Sequence, residues 1–157
     1  MKRFLLILLF LTLPLIVTGQ SEVYELRVYE MQFGKSASIL HNYIENALIP
    51  ALNRQGVNHV GAFEEVGDAM PKKIYLLLTY QNMQHIQKIG INLDKDEQFT
   101  EDAKSYTMTS PEDIPFKRVA SSLIGSAQGF PNLVKPAEDS ELFELRIYES
   151  YHEDALR

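Results

Sequence analysis

The chain contains no cysteine among its 157 residues, so disulfide bonds are excluded and a packed core must supply its stability. It also lacks a basic excess, with 15 Lys and Arg against 21 Asp and Glu and a formal net charge of −6 at pH 7. An acidic chain without a basic stripe is a poor partner for nucleic acid or anionic lipid surfaces, and we expect neither partner. Its four histidines share no metal-ligand spacing, so we expect no metal and no cofactor.

The N-terminus has the layout of a secretory signal peptide. Lys2 and Arg3 form a positive start, Phe4–Val17 is apolar apart from Thr12 and Pro14, and small residues lead up to Gly19. The alternative is a membrane anchor, but a membrane span needs roughly 17–25 apolar residues. We therefore predict that residues 1–20 are cleaved and that the protein is secreted or periplasmic, without a stable membrane anchor. Cleavage removes two positive charges and moves the formal charge from −6 to −8.

A ten-residue phrase occurs twice. Ser21–Glu30 (SEVYELRVYE) returns as Ser140–Glu149 (SELFELRIYE), with seven identities and three apolar exchanges. Self-similarity at a fixed offset is typical of a duplicated unit. Between the two copies, residues 125–140 contain two Gly and two Pro and few apolar residues, which is typical of a linker. We therefore predict one complete domain at 21–125, a linker at 126–140, and the first strand of a truncated second domain at 141–157.

Apolar periodicity predicts a strand–helix–strand–strand–helix–strand order within residues 21–125. Strict alternation indicates strands, and apolar residues at three- and four-residue steps indicate an amphipathic helix. The predicted strands are 23–30, 57–66, 73–80 and 116–124, and the predicted helices are 39–52, 82–89 and 94–106. This order predicts an α+β fold of the ferredoxin-like, split βαβ type with a four-stranded antiparallel sheet.

Helix ends and one kink are also predicted. Ser36 and Asn82 are expected to cap the first two helices, and Asp94, with Glu97 three residues on, resembles a capping box for the third. Pro50 is expected to kink the first helix because it has no N–H, and Gly56 to end it.

In such a sheet one face packs against the helices and the other stays open. We expect Tyr24, Leu26 and Val28 to face the helices, together with Phe143, Leu145 and Ile147 of the second copy. The open face would then carry Glu25, Arg27 and Tyr29, with Tyr75, Leu77 and Thr79 from the third strand and Glu144, Arg146 and Tyr148 from the repeat. This much apolar surface predicts self-association through open sheet faces, as a homodimer or as a pseudo-dimer of tandem domains.

Several segments together resemble the NIPSNAP domain family. They are Tyr24–Tyr29 (YELRVY), Leu48–Asn53 (LIPALN), Gly56, and Gly61–Phe63 (GAF). The resemblance covers residues 22–124 as one domain and 141–157 as the start of a second. It implies the fold of the dimeric α/β-barrel superfamily, and it implies no agreed catalytic motif.

Arg27, Tyr29 and His59 are the candidate site residues. Arg27 would bind an anionic group, while His59 and Tyr29 would act as base and hydrogen-bond donor; His59 as an axial haem ligand is a further alternative. The structural interpretation is that Glu25, Arg27 and Tyr29 form a network that fixes the pairing of sheets. Two functions follow: a non-catalytic assembly or ligand-binding module, which would admit a small molecule, and alternatively a cofactor-independent enzyme resembling a monooxygenase or isomerase.

Overall fold

The computed structural model describes residues 21–152 and residue 154. The predicted signal peptide, residues 1–20, lies outside the described residues. Among the described helices, none is long and apolar enough to cross a membrane.

The described chain follows the predicted order of elements, with each helical region divided into shorter pieces. The strands are β1 (Val23–Met31), β2 (Val60–Glu64), β3 (Lys73–Tyr80) and β4 (Phe116–Gly125). The helices are α1 (Ser38–Tyr43), α2 (Ile49–Arg54), α3 (Met83–Leu93), α4 (Glu97–Asp102) and α5 (Lys104–Thr107), with a π-helical turn at Ile44–Leu48 between α1 and α2.

The four strands form one antiparallel sheet in the order β2-β3-β1-β4. β1 is therefore central and pairs with both β3 and β4, while β2 and β4 are the edges. The α+β, ferredoxin-like architecture predicted from the sequence is confirmed.

The helix ends agree with the predictions in two places and differ in two. The Asn82 side chain accepts from the His85 amide at 2.8 Å, and Gly56 has a φ of +85°, which suits glycine at a helix C-terminus. The capping residue of α4 is Asp96 rather than Asp94, since Asp96 accepts from the Phe99 amide. α1 begins at Ser38 with Ala37 in the N-cap position, and the Ser36 hydroxyl, one residue further out than predicted, accepts from the Ser38 amide at 3.3 Å.

Pro50 produces a π-helical turn. Proline cannot donate to the carbonyl four residues earlier, and here the Ile49 amide reaches back five residues to the Ile44 carbonyl. The helix thus accommodates Pro50 by widening over one turn. Buried side chains still recur every four residues through this turn, at Leu40, Ile44, Leu48 and Leu52.

The faces of the sheet are the reverse of the prediction for β1. Tyr29 and Met31 lie in the core with the helix residues, and Glu25 is also buried. On β3 the buried residues Ile74, Leu76 and Leu78 pair with Tyr29, Arg27 and Glu25 respectively. Tyr24, Leu26 and Val28 therefore belong to the open face, opposite Thr79, Leu77 and Tyr75. β3 decides which face of β1 is buried, because the side of β3 with Ile74, Leu76 and Leu78 lies in the core. Glu25 and Arg27 pair with that side and therefore face the helices together.

Residues 126–140 form neither helix nor strand apart from an isolated bridge between Ala127 and Phe130. Residues 140–150 also lack strand pairing and run across the open face. The assignment of 141–157 to a second domain stays a prediction.

Candidate functional site

A polar network lies between the sheet and the helices. The Glu25 carboxylate accepts from Arg27 Nε at 3.0 Å and Nη2 at 2.8 Å, from Ser121 Oγ at 2.7 Å and from the Tyr80 hydroxyl at 3.1 Å. These partners come from β1, β3 and β4, so the network joins the three strands. A carboxylate with four donors satisfies its hydrogen-bonding capacity without water.

Glu25 and Arg27 each stabilise the charged form of the other. Burial by itself would raise the pKa of Glu25, but the Ser121 hydrogen bond and the Arg27 charge outweigh it and hold that pKa below its usual value. Burial would likewise lower the pKa of Arg27, but the Glu25 charge keeps it above its ordinary range. For the Tyr80 hydroxyl, burial and then the Glu25 charge both raise the pKa. Near neutral pH the network therefore consists of a carboxylate, a guanidinium and a neutral phenol.

The Arg27 guanidinium also interacts with Tyr29 and lies near Tyr43 and Tyr106. Tyr43 stacks on Tyr106 with ring centroids 4.0 Å apart, and Tyr29 meets Phe116 edge-on at 5.2 Å. Burial, followed by the neighbouring Tyr29, raises the pKa of Tyr106 to about 12. Arg27 thus has its carboxylate partner on the helix side of the sheet, away from the open face, so the network joins strands within one sheet and does not lie where it could fix the pairing of two sheets.

His59 lies apart from Arg27 and Tyr29. It directly precedes β2, is exposed, and its carbonyl accepts from the Thr79 amide. The alternation of β2 places it on the open-face side of the sheet, whereas Tyr29 lies in the core on the helix side. The three candidate residues of the enzyme hypothesis are therefore not brought together around one cavity.

The open face of the sheet is largely apolar. Cross-strand pairing aligns Leu26 with Leu77 and Val28 with Tyr75, and Phe63 lies opposite Tyr75 on β2. On β4 Ile124 is 43% exposed. All these side chains stay at least partly accessible to solvent. Contiguous apolar surfaces of this kind are typical of interaction sites.

The second copy of the repeated phrase lies on this face. The Phe143 ring is 5.0 Å from the Phe63 ring, tilted by 60°. Phe143, Leu145 and Ile147 together line a cleft of about 510 Å³ whose other wall includes Leu26 and Leu77. Glu144 also lines the cleft. The three apolar residues alternate along the segment, and they are the positions that match Tyr24, Leu26 and Val28 in the first copy.

The two copies also share an ion pair. Arg146 Nη2 lies 2.7 Å from Glu144 Oε2, as Arg27 Nη2 lies 2.8 Å from Glu25 Oε1. The first pair is mostly buried and the second is exposed, with 63% of the Arg146 side chain accessible. The phrase forms this pair wherever it stands, because residues two apart on an extended chain share a side.

Sequence reasoning found the strands of this site but missed Phe63 and the correct face of β1. The signal for the face was present in β3. Ile74, Leu76 and Leu78 form a continuous aliphatic side that ends at Tyr80, while the other side carries Lys73, Tyr75, Leu77 and Thr79. Pairing β1 against this strand assigns Leu26 to the side of Leu77.

Comparison with known proteins supports the family resemblance. The NIPSNAP family model matches residues 24–112. A NIPSNAP domain protein of Burkholderia xenovorans has a similar structure, with a TM-score of 0.52 at 16% identity over 70% of this chain and 99% of its own. A NIPSNAP family protein of Agrobacterium tumefaciens gives 0.52 at 13% identity over 71% of this chain and 91% of its own. At these identities the solved structures show the fold alone. No curated protein matches the sequence.

Proposed function

Because the chain belongs to the NIPSNAP family, whose solved members above carry no stated activity, we propose from its own surface that it is an assembly module. It pairs the open face of its sheet with the same face of a second ferredoxin-like sheet. In a homodimer the second sheet comes from another copy of the chain. In a pseudo-dimer it comes from a tandem domain that begins with the second phrase.

The size of the open face supports this proposal. Four strands about 4.8 Å apart and some eight residues long at about 3.4 Å per residue present a plane of roughly 500 Å². Two such faces bury about 1,000 Å² in projection, and more in accessible surface, which is the size at which specific interfaces begin.

The observation that carries the proposal is the position of the second phrase. Phe143, Leu145 and Ile147 meet the open face with the side that Tyr24, Leu26 and Val28 present on β1. An extended segment with the side-chain pattern of β1 thus faces the open face, and this supports pairing with a like sheet. Such a pairing buries the apolar sides of both sheets and leaves both helix layers outside.

The proposal is tested by the mass of the assembled protein. We expect the chain that begins at residue 21 to form dimers in sedimentation velocity at micromolar concentration, and Leu77→Glu to abolish them by placing a charge in the interface. The matched control is Ile91→Glu, since Ile91 is 55% exposed on α3 and lies away from the open face. Far-UV circular dichroism checks that both variants fold. A dimeric Leu77→Glu variant would refute the pairing, as would the absence of dimers both in the parent chain and in variants whose residues 141–149 no longer bind the open face.

We also propose export, supported by the order of charge, apolar run and small residues in positions 1–20. Intact mass of the protein expressed from its full-length gene in a bacterial host tests it. The expected mature protein begins near Gln20 and is found in the periplasm or medium. Recovery of the uncleaved chain would contradict export by this route.

A further inference from the structure

The linker is tied to the start of β1. The Glu22 amide donates to the Pro131 carbonyl at 3.0 Å, and the Ser126 amide donates to the Glu22 carbonyl at 3.2 Å. The Leu133 amide donates to the Glu22 carboxylate at 2.6 Å. From this anchor, eight further residues reach position 141, a span of up to about 28 Å. The second phrase is thus tethered within reach of the open face of its own chain.

Its contact with that face is incomplete. Phe143 remains 48% exposed, Leu145 55% and Ile147 73%. Apart from the contact of the Phe143 ring with the Phe63 ring, a cleft of about 510 Å³ remains between these side chains and the sheet. A whole sheet offers four strands of apolar side chains to the same surface, so it fits the open face more completely than one extended segment.

We propose that residues 141–149 form a strap, which occupies the open face in cis and competes there with the sheet of a second copy. The inference rests on the proposed pairing and adds its regulation. Tethering gives the strap an effective concentration in the millimolar range, so even its loose contact competes with a micromolar partner. The strap must leave the open face in both copies before they pair. If the closed state is favoured tenfold over the open state in each copy, the apparent dimer Kd therefore rises about 100-fold.

Weakening the strap should therefore strengthen the dimer. Phe143→Ser combined with Leu145→Ser removes the two best-buried strap contacts, and we expect the dimer Kd to fall by roughly tenfold or more. The matched control is Leu142→Ser combined with Tyr148→Ser, because those side chains are exposed and do not line the cleft. We expect the control to keep the parent Kd. Sedimentation velocity over a concentration series measures all three proteins.

A tryptophan reports the strap directly, since the chain contains none. We expect Phe143→Trp at monomeric concentration to show blue-shifted emission. The emission of this tryptophan should shift to the red when Phe63→Ala removes the ring that it contacts. It should also shift to the red when a rising protein concentration drives the pairing of two copies. Leu142→Trp is the control and should emit at long wavelength throughout.

The outcomes separate the two proposals. The strap proposal is wrong if the two serine substitutions leave the dimer Kd unchanged. It is also wrong if Phe63→Ala does not change the emission of Phe143→Trp. In either case the proposed pairing of open faces is not affected. A dimer weakened by the serine pair overturns the strap as well, because residues 141–149 then act in trans. If no variant dimerises, the pairing is refuted and its regulation with it.

Discussion

Replacing Arg27 by methionine should cost stability because it leaves the Glu25 carboxylate buried without its counter-ion. Glu25 is 8% exposed and receives two of its four hydrogen bonds from Arg27. Breaking a fully buried pair from one side typically costs 3–5 kcal/mol. Since 24% of the Arg27 side chain is accessible, we expect a smaller loss in the free energy of unfolding, about 2–3 kcal/mol at pH 7. Urea denaturation followed by circular dichroism, at one protein concentration, measures it.

The repeat supplies a matched control. Arg146→Met removes the same ion pair from the same phrase at an exposed position, and we expect no measurable loss of stability. Combining Arg27→Met with Glu25→Gln removes both charges, and we expect it to recover more than about 1 kcal/mol relative to the sum of the single changes. Additive single changes, or an Arg27→Met loss no greater than that of Arg146→Met, would refute the buried-pair argument.

The same pair predicts an acid dependence. The pKa of Glu25 is lower in the folded protein than in the unfolded chain, so the folded state favours the carboxylate. Its contribution is complete above the unfolded value of about 4.3 and is lost as the pH falls through the lower, folded pKa. The difference between the parent protein and Arg27→Met should therefore shrink below about pH 4. A difference that stays constant from pH 7 to pH 3 would contradict this assignment.

Three further stability predictions are measured by the same urea titration. Gly56→Ala should lower the free energy of unfolding by about 1 kcal/mol, because φ is +85° at this position. Gly90→Ala should raise it by about 0.5–1 kcal/mol, because Gly90 lies inside α3 with open space around it. Equal effects of the two substitutions would contradict the backbone argument. Asn82→Ala should lose about 1 kcal/mol with the cap on the His85 amide, and an unchanged midpoint would show that the cap is not needed. Leu76→Ala should lose about 2–5 kcal/mol, since Leu76 is fully buried; a loss below 1 kcal/mol would place it outside the core.

The order of elements could be predicted from local patterns alone. Alternation marks β1 and β3, and three- and four-residue steps mark the region of α1 and α2, because each element must bury one side. The N-cap at Asn82 and the helix end at Gly56 could also be predicted from the sequence, since both depend on backbone groups within a few residues.

The site was only partly readable. Arg27 and Tyr29 were recognised as a cluster, but local alternation cannot say which side of β1 faces the helices. That choice depends on the pairing of β1 with β3 and on Ser121 and Tyr80, which complete the Glu25 network from other strands. His59 was grouped with Arg27 because sequence spacing does not reveal that a sheet separates them.

The sequence by itself determined the α+β plan, the family resemblance and the duplicated phrase, because periodicity, turn residues and self-similarity are local properties of a chain. Tertiary structure alone decided the face of each strand and the burial of the Glu25–Arg27 pair. It also placed the second phrase on the open face. The physical reason is that burial depends on what approaches a strand from elsewhere, and the same phrase holds its ion pair in the interior at Arg27 and in solvent at Arg146.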